Sequence, residues 1–183
     1  KAGLSGTIEF FPEEGKYHWD GHRLCGVSMP PEETIKNNYL CPSCGKKLTI
    51  GVMHRIERLR DRDTMTPAVE GRVPFHCLMP LTEIIGEVLD VGVNSKAVGN
   101  EYFGLINALG NELKILMDVP LEEIKRAGRN ALISSSIGKM RKGDVTITPG
   151  FDGEYGHIEI SGRAKTPSPS KPKKAHPKKG QDE

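Results

Sequence analysis

The sequence predicts an α+β fold, mainly helical. Three observations carry that reading. Residues 12–51 are turn-rich and hold three of the four cysteines, apolar residues then recur at helical spacing from 52 to 142, and two short alternating runs follow, separated by Pro149-Gly150 and Asp152-Gly153. With 183 residues, 36% of them hydrophobic, the chain suffices for one ordinary domain or two small ones. The expected division is an N-terminal module over 1–51, a helical domain with a closing hairpin over 52–163, and a basic tail over 164–183.

Taken in order, Ile8-Glu9-Phe10-Phe11 ends an apolar stretch that reads as a strand or edge segment. Phe10 and Phe11 are there either to dock something upstream or as ordinary core. Pro30-Pro31 followed by Glu32-Glu33 resembles a helix start, with proline in the first turn and acids facing the dipole. Val52, Ile56 and Leu59 share one face of a segment running to Asp63, with Arg55, Arg58 and Arg62 on another. Thr64 to Pro80, with its three prolines, is a loop. Helices follow at 81–90, 95–109, 120–128 and 130–142, the last with Leu132, Ile133, Ile137 and Met140 inward; Thr82 and Asn94 are the expected N-caps. Val145–Thr148 and His157–Ile160 alternate as the two strands of a hairpin. The tail, rich in Pro, Ser and Lys, cannot bury enough surface to offset its chain entropy, so disorder is expected there.

The formal charge of +2 conceals an asymmetry: residues 164–183 hold six Lys against two acids, leaving 20 basic and 22 acidic side chains in the rest. The body is therefore not a strongly basic module, and any nucleic-acid surface on it must be local. No stretch approaches the ~18 consecutive apolar residues of a membrane helix. The opening KAGLSGTIEFF has no apolar core of a signal peptide and no initiator Met, so the chain reads as a piece of a longer protein.

The strongest signal is Cys41-Pro42-Ser43-Cys44-Gly45. Two thiolates two residues apart on a tight turn form a zinc knuckle, and Gly45 allows the left-handed backbone such a turn commonly takes. Upstream lie Cys25 and, three residues before it, His22, giving two ligand pairs at the spacing of a zinc ribbon or treble-clef-like site. A Cys3His shell is closed and tetrahedral, as structural zinc requires. The first ligand stays open between His22 and His18, with His76 or Cys77 able to reach back in the fold.

Catalytic signatures are missing. Gly138-Lys139 lacks the earlier Gly and the following Ser or Thr of a P-loop, and neither H-E-x-x-H nor G-x-S-x-G occurs. Ser134-Ser135-Ser136 decorates a helix. His18 and Asp20 are expected to bond to a zinc ligand, with an acid–base role as the alternative. No residue is assigned a catalytic role, and this chain alone is expected to be inactive.

Two basic features suit a phosphate backbone: His54, Arg55, Arg58 and Arg62 on the helix after the knuckle, and Lys139, Arg141 and Lys142 before Gly143. Each has a plainer account, since Glu57, Asp61 and Asp63 interleave with the first set and the helix dipole favours cations at the second. Lys96, just after Asn94-Ser95, adds a cation at a helix N-terminus, where phosphate can be held. The Lys-rich tail would add salt-sensitive attraction to nucleic acid. Tyr155, set among glycines, either stacks on a base or caps the hairpin.

The stretches GTIEFFPEEGKYHWDGHRLCGVSMPPEET and CPSCGKKLTIGVMHRIERLRDR, with VPFHCLMPLTEII, NELKILMDVPLEEI and GKMRKGDVTITPGFDGEYGHIEI, resemble the part of endonuclease Q that follows its PHP domain. The resemblance runs over residues 3–160. It implies a zinc-binding domain and a C-terminal helical domain of a DNA-repair nuclease that nicks 5′ to deaminated bases, such as uracil and hypoxanthine, or abasic sites. It implies zinc at His22, Cys25, Cys41 and Cys44, double-stranded DNA as partner, and a cytoplasmic, nucleoid-associated location. Catalytic divalent metals are then expected only in an upstream PHP domain, whose His and Asp ligands this sequence lacks. The tail contains no aromatic, so the clamp-binding box common in archaeal members is not matched. A helicase label attached to such proteins finds no P-loop here.

Overall fold

The structure is a computed structural model that describes residues 3–61 and 73–160. The basic tail and Arg62 lie outside the described residues. The α+β, mainly helical class holds: seven α-helices and three two-stranded sheets occur among the described residues.

In the N-terminal part, β1 (Thr7–Glu9), β2 (Asp20–His22), β3 (Val27–Met29), α1 (Pro31–Lys36) and α2 (Val52–Leu59) follow one another. β2 and β3 pair antiparallel, with His22 opposite Val27. Proline at the start of α1 and Glu32 and Glu33 in its first turn match the expected helix start. Burial here is slight: Met29, Cys41 and Leu48 are the buried members of the apolar cluster, with Cys25 and Val27 partly buried against them. Three small buried groups cannot offset the ordering of some forty residues at ~1–2 kcal/mol each, so other bonds must hold this region.

The main core is helical. It comprises α3 (Leu81–Leu89), α4 (Lys96–Leu109), α5 (Glu112–Met117), α6 (Leu121–Ala127) and α7 (Ala131–Lys142). Leu81, Ile84, Ile85, Leu105, Ile124 and Ile137 are fully buried where these helices meet. Each such side chain contributes ~1.5–3 kcal/mol on leaving water. Ser95, not Asn94, caps α4, and its hydroxyl accepts from the Val98 N–H. α3 begins at Leu81 after Pro80, so Thr82 is not its cap; the Glu112 carboxylate accepts the Leu81 N–H at 2.7 Å instead. Leu132 is exposed, unlike Ile133, Ile137 and Met140.

Two connections tie the parts together. β1 pairs parallel with β4 (Phe75–Cys77), Ile8 opposite His76, and Phe11 enters the helical core while Phe10 stays exposed. At the other end β5 (Thr146–Thr148) and β6 (His157–Glu159) form the expected hairpin, with Ile158 and Ile160 in the core. Its tip, residues 149–156, reaches the N-terminal part. Trp19 N–H donates to Gly150 O at 2.9 Å, Gly153 N–H to Lys16 O at 2.9 Å, and Gly156 N–H to Glu14 O at 3.0 Å. A side chain at Gly156 would overlap Glu13 O, so only glycine allows this approach.

Candidate metal centre and nucleic-acid interface

His22, Cys25, Cys41 and Cys44 converge, each offering one ligand atom, and these atoms all lie within 4.8 Å of one another. Each pair sits on its own tight turn. His22 ends β2 and Cys25 ends a 3-10 turn over Arg23–Cys25, while Cys41 N–H donates to Lys46 O at 2.7 Å and Gly45 N–H to Cys41 O at 2.8 Å. A left-handed glycine follows the second ligand of each pair: Gly26 at φ 62° and Gly45 at φ 72°. That conformation costs a residue with Cβ, and glycine removes the penalty. His22 Nδ1 lies 3.4 Å from Cys44 Sγ. His18, His76 and Cys77 do not join the cluster: His18 Nδ1 donates to Pro12 O at 3.0 Å, and His76 and Cys77 lie on β4.

The electrostatics suit a cation. Burial works to raise the Cys41 thiol, but hydrogen bonds from the Ser43 and Cys44 backbone and from His22 and Cys44 outweigh it and bring the group from 9.0 to about 7. The Cys25 thiol is pushed up, by its hydrogen bond with Cys44 first and by burial second. Three thiolates this close repel one another, and a divalent ion among them is what stabilises all three together. Soft sulfur donors with one imidazole in a closed set are the donor chemistry of structural zinc, so the residues fit that ion.

Asp20 does not orient a zinc ligand, contrary to the expectation from its neighbours in sequence. Its fully buried carboxylate accepts the Gly51 N–H at 2.6 Å and faces His54 Nδ1 at 2.8 Å. His54 therefore leaves the expected basic stripe, because its ring is buried under α2 against Asp20 and Tyr39. With its polar histidine turned inward, α2 turns its apolar side outward. Val52, Ile56 and Leu59 are 58%, 49% and 63% exposed, flanked by the exposed Arg55 and Arg58.

The second basic group also divides. Arg141 is half-buried, and its guanidinium donates to the carbonyl oxygens of Leu116, Ile115 and Val119, each at 2.8 Å, closing the C-terminal end of α5. Lys139 Nζ donates to Ile160 O at 3.2 Å, which fixes β6 against α7. Both side chains are committed to the fold. Lys142 and Lys96 remain exposed, the latter at the start of α4. The roles of Asp20, His54 and Arg141 were hidden in the sequence because the partners they bond to stand 22 to 34 residues away.

The crystal structure of the lesion-specific endonuclease PfuEndoQ from Pyrococcus furiosus superposes with a TM-score of 0.74 at 31% identity, over 87% of this chain and 39% of that one. A second structure, endonuclease Q in complex with a 27-mer duplex substrate bearing an abasic lesion at the active site, gives 0.69 at 31% identity, over 87% and 40%. At family level the chain is related to endonuclease Q. Residues 80–144 match the MJ0043 C-terminal domain, and the uncharacterized protein MJ0043 of Methanocaldococcus jannaschii is 33% identical over 149 residues. That alignment takes in 81% of this chain and 18% of MJ0043, so the chain spans under a fifth of MJ0043 and about two-fifths of the endonuclease Q chains. The match to endonuclease Q extends beyond the helical core into the part that carries the Cys/His cluster, since 87% of the chain is covered. No described helix is long and apolar enough to cross a membrane.

Proposed function

We propose that this chain is the zinc-stapled, DNA-holding part of an endonuclease-Q-like repair nuclease. The observation that carries the reading is the likeness to an endonuclease Q whose structure holds duplex DNA with an abasic lesion. In this reading zinc is bound by His22, Cys25, Cys41 and Cys44 and fixes the turn region for which burial is insufficient. The exposed Arg55 and Arg58, with Arg62 four positions after Arg58, grip the phosphate backbone, and Lys96 and Lys142 add cations elsewhere on the body. The nick, 5′ to a deaminated base or abasic site, is metal-assisted hydrolysis by a PHP domain upstream. This chain's own residues hold the duplex and take no part in breaking the bond. Its working place is the nucleoid.

Binding of the zinc-loaded chain to a labelled duplex, with and without one deoxyuridine, deoxyinosine or abasic site, tests the reading at two salt concentrations. Tighter binding to the lesion puts recognition in this chain. Equal and steeply salt-dependent binding makes it a general grip. Absence of binding overturns the reading.

A second reading is a module that docks and stabilises the catalytic domain. The exposed apolar stripe Val52, Ile56 and Leu59 favours it, because three neighbouring apolar residues on one helix face are characteristic of a surface that a partner covers. Binding of a separately produced PHP domain, lost on Ile56→Glu, is its test.

A further inference from the structure

Tyr155 stands at the hairpin tip with 75% of its surface in solvent, so it contributes almost nothing to the core. The turn that presents it is nevertheless tightly determined. Asp152 takes a left-handed φ of 43° and Gly153 one of 88°. Such a conformation in a residue with Cβ persists only where surrounding bonds enforce it. Here the Asp152 carboxylate accepts the Arg23 N–H at 2.7 Å and the Thr49 hydroxyl at 2.6 Å. Gly150, Gly153 and Gly156 are bonded through their backbones to Glu13, Lys16 and Glu14. A strained and multiply anchored turn thus holds out one aromatic ring.

One cation faces that ring and a second lies beside the turn. Lys16 Nζ lies 5.3 Å from its centroid. Arg23 lies beside the turn, 3.7 Å from Glu154, and its Nη1 approaches Gly153. A flat apolar face beside an ammonium and a guanidinium matches a ligand that is flat at one end and anionic at the other, which is the make-up of a nucleotide. We propose that Tyr155, with Lys16 and Arg23, is a stacking platform for a DNA base that has left its pair. The base lies on the phenol ring, and Lys16 and Arg23 take the adjoining phosphates. The platform rests on the DNA-holding reading above and adds to it a site distinct from the α2 arginines, formed where the hairpin tip meets the N-terminal part.

The test is equilibrium anisotropy of the zinc-loaded chain with two labelled duplexes of one sequence, one fully paired and one with a single unpaired thymidine. Stacking is worth enough that Tyr155→Ala weakens binding to the unpaired-base duplex about tenfold and leaves the paired duplex within about twofold. Tyr155→Phe keeps both within about twofold, because the ring and not the hydroxyl does the stacking. Lys16→Gln weakens both and lowers the salt slope by about one. Equal affinities of wild type and Tyr155→Ala for the unpaired-base duplex overturn the platform while leaving the DNA-holding reading in place. Equal weakening on both duplexes also overturns it. Wild-type protein that binds neither duplex overturns the platform together with that reading.

Discussion

The carboxylate of Asp20 faces His54 Nδ1 at 2.8 Å, and both side chains are buried. A carboxylate only accepts, so Nδ1 carries the proton. The other oxygen of Asp20 takes the Gly51 N–H at the start of α2. One residue of β2 thereby fixes both the beginning of α2 and its rotation about its axis. Its neighbour two positions on, His22, is a candidate zinc ligand, so the same strand positions the metal centre and the helix with the exposed arginines.

Replacing Asp20 by Ala leaves a buried imidazole and a buried N–H without their acceptor, which costs about 3–5 kcal/mol. Asp20→Asn keeps one oxygen for the Gly51 N–H, and its amide can donate to the other tautomer of His54, so the expected loss is nearer 1 kcal/mol. Urea unfolding of the zinc-loaded protein separates the two. Equal losses for both variants would show that the His54 contact is not the element holding α2.

Zinc removal should act on one part of the molecule. The buried members of the apolar cluster around the Cys/His group are Met29, Cys41 and Leu48, whereas the helical core holds eighteen buried residues. A structural zinc contributes ~10–16 kcal/mol of binding energy in small zinc peptides, far more than those three side chains. Chelation is expected to open residues 18–60 to protease and hydrogen exchange while the helices from α3 to α7 keep their protection. Cys44→Ser should lower bound zinc from about one per chain toward zero. Full zinc retention by that variant would remove Cys44 from the ligand set.

Glu14 carries a pH dependence with a definite sign. Burial raises its carboxyl above 4.5, and Glu83 and Glu13 add to the shift while His157 opposes it. The folded state therefore binds this proton more tightly than the unfolded chain does, and ionised Glu14 costs stability at neutral pH. That cost is absent below the unfolded value near 4.5 and is complete once pH exceeds the raised folded value. Glu14→Gln is thus expected to raise the melting temperature at pH 7 and to lose that advantage as pH falls toward 4. An advantage that grows in acid would reverse the sign and disprove the burial effect.

How much was legible in the sequence follows the range of each interaction. The Cys/His cluster was legible because each ligand pair is local and its turn glycine sits beside it, at Gly26 and Gly45. Helices α3, α4 and α7 were legible because their buried residues repeat along the helix. The orientation of α2 was not. Val52, Ile56 and Leu59 do share a face, but periodicity says nothing about which face meets the fold, and Asp20 draws the His54 side inward from 34 positions away. The six-residue α5 has too few turns to show a period, although Asn111 caps it. Arg141 read as a surface cation because the three carbonyls it binds belong to another helix end and its approach.

Arg58 and Arg141 should therefore respond in opposite ways. Arg141 donates three bonds into the end of α5, and a lysine there cannot reproduce a forked, planar donor set. Arg141→Lys is expected to cost about 2–3 kcal/mol of stability and to leave DNA affinity unchanged in protein that remains folded. Arg58 is exposed and makes no ion pair among the described residues. Arg58→Gln should leave the melting temperature within a degree or so, since exposed substitutions rarely exceed ±0.5 kcal/mol. It should instead reduce the slope of log affinity against log salt by about one, the effect of one phosphate contact removed. Thermal unfolding and binding at several salt concentrations, run on both variants, decide the assignment. A salt slope changed by Arg141→Lys and untouched by Arg58→Gln would move the phosphate surface from α2 to the end of α7.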